Sequence, residues 1–85
     1  MGWVKFVKIN EDSEWVTYKY SHDCEELDGR VKIKKIKNLS EGDFIIDPSR
    51  SDFKNNHFAF QVILKIRKWI NDDLPLPESY SLSYG

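Results

Sequence analysis

The sequence predicts an α+β domain, in which a three-stranded antiparallel β-meander is followed by one long C-terminal helix packed on the sheet and by an extended C-terminal tail. Three observations carry this prediction. Residues 1–37 contain short runs rich in Val, Ile and aromatic side chains, separated by polar turn clusters. Residues 52–71 are apolar almost all round at helical periodicity. Beyond them, two Leu-Pro pairs end the helix, and Ser then alternates with Tyr or Leu.

The three strands of the meander are predicted over residues 3–9, 14–20 and 30–37. A short polar cluster separates the first two strands, so we expect them to form an antiparallel hairpin. The second strand carries aromatic side chains on both of its faces. We expect the third strand to bulge or end near residues 34–35, because its apolar alternation changes parity there.

The rest of the chain divides into a connector (residues 38–50), a helix (residues 51–72) and a tail (residues 73–85). In the connector, residues 44–46 predict either a fourth short strand or an apolar anchor. The helix is predicted to start at the first or second residue of its range, since both are good helix caps. The regular alternation in the tail indicates a strand or a docked extended segment. Together with the meander, these segments make a single domain over residues 1–85.

Two apolar stripes run along the predicted helix. The narrow stripe contains Phe53, His57, Phe60 and Leu64. The wide stripe contains Phe58, Ala59, Val62, Ile63, Ile66, Trp69 and Ile70. A helix that is apolar on most of its circumference must be covered on more than one side. We expect the sheet to cover one side and to leave Phe58, Val62, Ile66 and Trp69 of the wide stripe for another contact.

This surplus apolar surface predicts a non-enzymatic protein-interaction module that self-associates or binds a protein partner through the apolar helix face. The candidate interface residues on the helix are Phe58, Val62, Ile66 and Trp69, and those on the tail are Tyr80, Leu82 and Tyr84. Either the tail folds back over the helix, or two chains associate through their helices about a two-fold axis. We favour the homodimer, because a domain of this size has a limited core of its own.

The alternative function is binding of single-stranded nucleic acid. The third predicted strand is rich in basic residues and lies beside an aromatic strand, a combination that binds phosphates and stacks bases. The candidate residues are Arg30, Lys32, Lys34, Lys35, Lys37, Trp15 and Tyr18. An edge strand that is protected against unwanted pairing also carries lysines. Acidic residues within residues 23–28 neutralise part of the charge, so nucleic acid stays the alternative.

Composition restricts the partners further. The 85 residues carry a net charge of −1, from 13 basic and 14 acidic side chains, which argues against a general polyanion binder. The single cysteine, Cys24, cannot form an internal disulfide, which indicates a reducing compartment. No targeting segment and no membrane-spanning stretch is visible, so we expect a cytoplasmic protein without a membrane contact.

No motif predicts an enzyme, a metal site or a cofactor. His22, Asp23 and Cys24 are adjacent in sequence, but neighbouring loop side chains rarely point at one another, and nearby acids raise a thiol pKa. We interpret His57 as a packed side chain with a hydrogen-bond partner. The acidic residues of the connector lack the spacing of a calcium-binding loop. We therefore expect no catalytic residue, no metal ligand, no cofactor and no small-molecule ligand.

Overall fold

The computed structural model describes residues 2–22, 27–38, 40–48 and 56–84. The strands are β1 (Gly2–Glu11), β2 (Trp15–His22), β3 (Gly29–Lys34), β4 (Phe44–Asp47) and β5 (Ser79–Tyr84), and the helix is α1 (His57–Asn71). A short 3₁₀ turn, Glu41–Asp43, leads into β4. The domain is therefore α+β, as predicted, with α1 inserted between the last two strands.

The sheet has five strands in the order β4-β3-β2-β1-β5, and every neighbouring pair is antiparallel. The prediction of a three-stranded meander is therefore wrong. The apolar run in the connector forms β4, and the tail forms β5 and pairs with β1 from Gly2 opposite Tyr84 to Val7 opposite Ser79. Local alternation indicated each strand, β4 and β5 included, as one option. The pairing of β5 with β1 joins opposite ends of the chain, and local alternation carries no information about such distant contacts.

The first three strands follow the predicted pattern. β1 and β2 form the antiparallel hairpin, and β3 ends at Lys34, where the alternation changes. The irregularity in the sheet lies instead in β1, between Lys8 and Asn10, where the register with β2 shifts by one residue. That shift lets β1 continue as far as Glu11.

The core lies between the sheet and α1. It consists of Val4 and Phe6 of β1, Val16, Tyr18 and Tyr20 of β2, Val31 and Ile33 of β3, and Ala59, Val62, Ile63, Ile66 and Trp69 of α1. The wide stripe of α1 therefore packs on the sheet, and the expectation that it stays free is wrong. The described part of the narrow stripe, His57, Phe60 and Leu64, faces solvent. The wide stripe buries more apolar area, which is why it faces the sheet.

The helix ends one residue before its predicted boundary, and its predicted start lies outside the described residues. Its last residue is Asn71, after which Asp73 adopts a left-handed conformation with φ of 56°. The N–H of Leu74 then donates to the Trp69 carbonyl oxygen at 2.8 Å, which completes the helix terminus before the first proline. The described helix begins after Asn56, whereas the predicted start at residues 51–52, and Phe53 with it, lies outside the described residues.

The tail is fixed to the core through aromatic contacts and one hydrogen bond. The ring centroid of Tyr80 lies 5.0 Å from that of Trp69 and 5.6 Å from that of Phe6. The hydroxyl of Tyr18, which is fully buried, donates a hydrogen bond to the Pro77 carbonyl oxygen at 2.7 Å. Burial, together with the nearby Glu11 and Glu78 carboxylates, raises the pKa of the Tyr18 hydroxyl.

This hydrogen bond predicts a pH-dependent effect of Tyr18→Phe. At neutral pH the substitution should lower the free energy of unfolding by about 1 kcal/mol, because the Pro77 carbonyl loses its donor. In the unfolded chain the hydroxyl has an ordinary pKa of about 10, whereas in the folded protein the pKa is raised. The contribution of Tyr18 is therefore complete below pH ~10 and is lost as the pH rises beyond it. Urea denaturation measures the free energy of unfolding at about pH 7 and about pH 11. Between these two pH values it should fall less for Tyr18→Phe than for the original chain, and an equal fall in both would contradict this assignment.

Candidate functional site

The face of the sheet opposite α1, here called the outer face, has no described helix or strand packed on it. Because side chains alternate along a strand, the residues between the core positions lie on this face. They are Trp3, Lys5 and Val7 of β1, Trp15, Thr17, Lys19 and Ser21 of β2, Arg30, Lys32 and Lys34 of β3, Ile45 and Asp47 of β4, and Ser79, Ser81 and Ser83 of β5.

Five of these outer-face residues form a continuous basic band that crosses three strands. The basic band consists of Lys5, Lys19, Arg30, Lys32 and Lys34. Lys19 lies directly opposite Arg30 on the neighbouring strand. The three β3 cations follow one another at every second residue, a spacing of roughly 6.6 Å. The side chains of Lys5, Arg30 and Lys32 are exposed, and those of Lys19 and Lys34 are half-buried.

A tryptophan lies at each end of the basic band. Trp15, opposite Lys34, is half-buried, and its ring centroid lies 5.1 Å from Lys32 Nζ and 5.9 Å from Lys34 Nζ. These two cation–π contacts hold the ammonium groups close to the aromatic surface. Trp3, also half-buried, lies one step beyond Lys5 on β1. From Trp3 to Trp15 the band extends over roughly 27 Å along the strand direction, which is four steps of two residues.

Few acidic groups reach this face. Within the described strands, Asp47 is the acidic residue at an outer-face position, and it lies opposite Arg30. Asp28 precedes β3 by one residue. The remaining acids of the loop between β2 and β3, on which the sequence-based neutralisation argument depended, lie outside the described residues. The described part of the outer face is thus strongly positive although the chain as a whole has a net charge of −1.

Two carboxylates at the end of β1, those of Glu11 and Asp12, accept hydrogen bonds from neighbouring groups. Glu11 accepts hydrogen bonds from Lys35 at 2.8 Å and from Lys8 at 2.7 Å, and these contacts lower the pKa of the Glu11 carboxyl. The Asp12 carboxylate accepts the backbone N–H groups of Trp15 at 2.7 Å and Glu14 at 2.8 Å, which lower its pKa. Hydrogen bonds thus keep both carboxylates in their ionised form at the end of β1.

The structure separates the predicted nucleic-acid residues into two groups. Arg30, Lys32, Lys34 and Trp15 lie together on the outer face. Tyr18 is in the core, Lys35 pairs with Glu11 at 2.8 Å, and Lys37 pairs with Asp73 at 3.1 Å. Sequence reasoning missed Trp3, Lys5 and Lys19. The alternation of β1 and β2 contained the signal, because all three occupy the parity opposite to the core positions.

The predicted protein-interface residues lie mostly between the helix and the sheet. Val62 and Ile66 are fully buried and Trp69 is 9% exposed, while Phe58, Tyr80 and Leu82 are half-buried. The side chain of Tyr84 lies outside what the structure describes. On the opposite side of α1, Phe60 and Leu64 are 43% and 55% exposed. The ring centroid of Phe60 lies 6.2 Å from that of Phe44, in an edge-to-face arrangement.

Other kinds of site find little support among the described residues. No group of three or more His, Cys, Asp or Glu side chains there is arranged to hold a metal ion. His22, Asp23 and Cys24 are adjacent in sequence, and their side chains lie outside the described residues. In the described part of the chain, α1 is too short and too polar to cross a membrane. Every buried polar side-chain atom in that part has a hydrogen-bond partner.

Comparison of the chain with protein-family models, with curated proteins and with solved structures finds no match.

Proposed function

We propose that this chain is a non-enzymatic binding domain that holds single-stranded nucleic acid on the outer face of its sheet. The observation that carries this proposal is the basic band, ended by Trp3 and Trp15, on a sheet face that no described element covers. In the sequence, nucleic acid was the alternative because acidic residues within residues 23–28 neutralise part of the charge of the third strand. Binding depends on the local potential of a surface, and here the five cations of the basic band share a face with one acidic residue of the described strands, Asp47.

The chemistry of the band fits a flexible polyanion. Ammonium and guanidinium groups at intervals of roughly 6.6 Å along β3 can each approach a different phosphate. The tryptophan rings offer flat apolar surfaces on which bases of any sequence can stack. The hydroxyl of Thr17, which is half-buried and lies opposite Lys32, can donate to a phosphate or sugar oxygen. Such a surface binds a few nucleotides with little sequence preference, in the cytoplasm that the sequence predicts, and it requires no cofactor.

Removal of two cations from the band should weaken binding and reduce its salt dependence. We expect Arg30→Gln combined with Lys32→Gln to lower the affinity for an oligothymidine of about twelve nucleotides by ~10-fold or more at low salt. The slope of log K against log salt should fall by about 1.4, since each phosphate contact contributes about 0.7 for a single strand. Quenching of tryptophan fluorescence, or anisotropy of a labelled oligonucleotide, measures both quantities.

The matched control is Arg67→Gln combined with Lys68→Gln. It removes the same two residue types and the same charge from exposed positions of α1, on the opposite side of the domain. If the outer face binds the oligonucleotide, this control should retain nearly the original affinity and salt slope. If both double variants lost the same affinity for the oligonucleotide, the loss would reflect only the change in net charge. That result would contradict the proposal. No binding of the original chain at about 50 mM salt would also overturn it.

A second candidate function is the protein-interaction module that the sequence predicts. Two observations favour it: the exposed Phe60 and Leu64, one turn apart on the solvent side of α1, and the edge of β5, which pairs with no second strand among the described residues. A partner that approached α1 would meet Phe60 and Leu64, because Val62 and Ile66 already pack on the sheet.

A further inference from the structure

β5 forms one edge of the sheet. It pairs with β1 on one side, and among the described strands none pairs with its other side. Its six residues alternate between Ser on the outer face and Tyr or Leu on the side that faces α1. It has no charged residue and no proline.

The backbone groups on the free side of β5 belong to its serines. The N–H of Lys8 donates to the Glu78 carbonyl oxygen at 2.7 Å, so these two residues form a hydrogen-bonded pair. Hydrogen-bonded and non-bonded pairs alternate along an antiparallel ladder. The backbone groups of Tyr80 and Leu82 therefore face β1, as those of Glu78 do. Those of Ser79, Ser81 and Ser83 face away from β1.

The edge of β5 lacks the devices that protect edge strands from pairing. Proteins commonly protect such edges with lysines, prolines, bulges or very short strands. β4, at the other edge, is four residues long, ends in the charged Asp47 and is followed by Pro48. β5 is longer, uncharged and in regular register with β1 throughout. An uncharged six-residue strand without proline is well suited to pair with another strand.

We propose that β5 pairs with β5 of a second copy of this chain, antiparallel about a two-fold axis at Ser81. This register places Ser81 opposite the partner's Ser81, and Ser79 opposite the partner's Ser83. All three serines of each strand are then in hydrogen-bonded pairs, which gives about six new backbone hydrogen bonds. The two sheets become one sheet of ten strands, with both helices on the same side.

A second copy suits this edge better than an unrelated strand, because the edge is complementary to itself. On the outer face only serines meet across the axis. On the side of α1, Tyr80 lies beside the partner's Leu82, and both side chains are half-buried in the single chain, so they gain apolar contact. The nearest cation of the outer face, Lys5, lies one strand back from Ser81. The two Lys5 side chains would therefore be about 14 Å apart, beyond the screening length of about 8 Å at physiological salt.

Pairing of β5 strands is independent of nucleic-acid binding, but it would place two basic bands on one side of the dimer. A single pair of edge strands buries less area than a typical stable interface. The dimer should therefore be concentration-dependent rather than permanent.

Cross-linking through single cysteines tests the proposed register. In a chain that carries Cys24→Ser, Ser81→Cys should form an intermolecular disulfide under mild oxidation. Paired residues across an antiparallel ladder have Cα atoms about 5.5 Å apart, within disulfide range. Ser79→Cys is the matched control on the same face of the same strand, but the two copies of residue 79 would be roughly 14 Å apart. We expect at least about tenfold more covalent dimer for Ser81→Cys.

Light scattering on a sizing column, up to about 1 mM chain, measures whether the unmodified chain associates. Comparison with the Leu64→Asp variant then shows whether the contact involves α1. A mass that rises toward twice the chain mass, and that is unchanged by Leu64→Asp, supports pairing through β5. Loss of the dimer in Leu64→Asp, with the fold intact by circular dichroism, would place the contact on α1 and overturn the proposal. A constant monomer mass, or equal cross-linking at positions 79 and 81, would overturn it as well. None of these outcomes depends on whether the chain binds oligothymidine.

Discussion

Phe6→Ala should lower the free energy of unfolding by about 3–5 kcal/mol, the largest effect that we expect from a single substitution in this chain. Phe6 is fully buried, at the point where sheet, helix and tail meet. Its ring centroid lies 5.3 Å from that of Tyr18, 5.9 Å from that of Trp69 and 5.6 Å from that of Tyr80. Truncation leaves a cavity that three other aromatic side chains line, and rings held by separate elements cannot easily move together to fill it.

The consequence for the fold is large because small domains are only marginally stable. At roughly 0.05–0.15 kcal/mol per residue, a chain of 85 residues has few kcal/mol to lose. Phe60→Ala is the matched control, since it makes the same chemical change at a helix position that is 43% exposed. We expect it to cost about 1 kcal/mol or less, from the lost edge-to-face contact with Phe44. Urea denaturation with an unchanged m value measures both, and similar costs would contradict the placement of Phe6 at the centre of the core.

Ile66→Ala should lower the free energy of unfolding by about 2–5 kcal/mol. Ile66 is fully buried between α1 and the sheet, whereas the sequence pattern predicted that it lies on the free face of the helix. If that face were free in the single chain, truncation to Ala would stabilise the helix slightly, because Ala has the better helix propensity. The sign of the change therefore reports which side of α1 packs on the sheet.

Ile45→Ala is the control for Ile66→Ala. It makes the same change in β4, at a side chain that is 56% exposed on the outer face. The expected cost is about 1 kcal/mol or less, mainly from the poorer strand propensity of Ala. Thermal unfolding should give a much lower midpoint for Ile66→Ala than for Ile45→Ala. Equal midpoints would mean that the wide stripe of α1 does not form the core.

Both core predictions bear on the proposed functions. Loss of the packing around Phe6 or Ile66 would unfold the sheet that carries the basic band and β5. A loss of binding or association in these variants would therefore report on folding rather than on an interface. For this reason the binding and cross-linking variants described above change outer-face, α1 and β5 residues only at exposed positions, apart from the Cys24→Ser background of the cross-linking variants.

The sequence predicted part of the basic band, but it did not predict which basic residues belong to it. The alternation of β3 predicted that Arg30, Lys32 and Lys34 share a face, and they do. Lys35 and Lys37 follow in the same basic run, yet they lie beyond the end of β3 and pair with Glu11 and Asp73. The basic run in the sequence therefore suggested that these two lysines belong to the band. They do not, because the sequence alone does not show at which residue the strand ends.

The sequence by itself determined the α+β class, the β1–β2 hairpin, the end of α1 and the two faces of β2, because these features depend on residues close together in the chain. Only the tertiary structure decided the pairing of β5 with β1 and the choice of the stripe of α1 that packs on the sheet. Both depend on contacts between distant segments. Two apolar stripes on one helix can each satisfy a local pattern, and the area each can bury against the sheet decides between them.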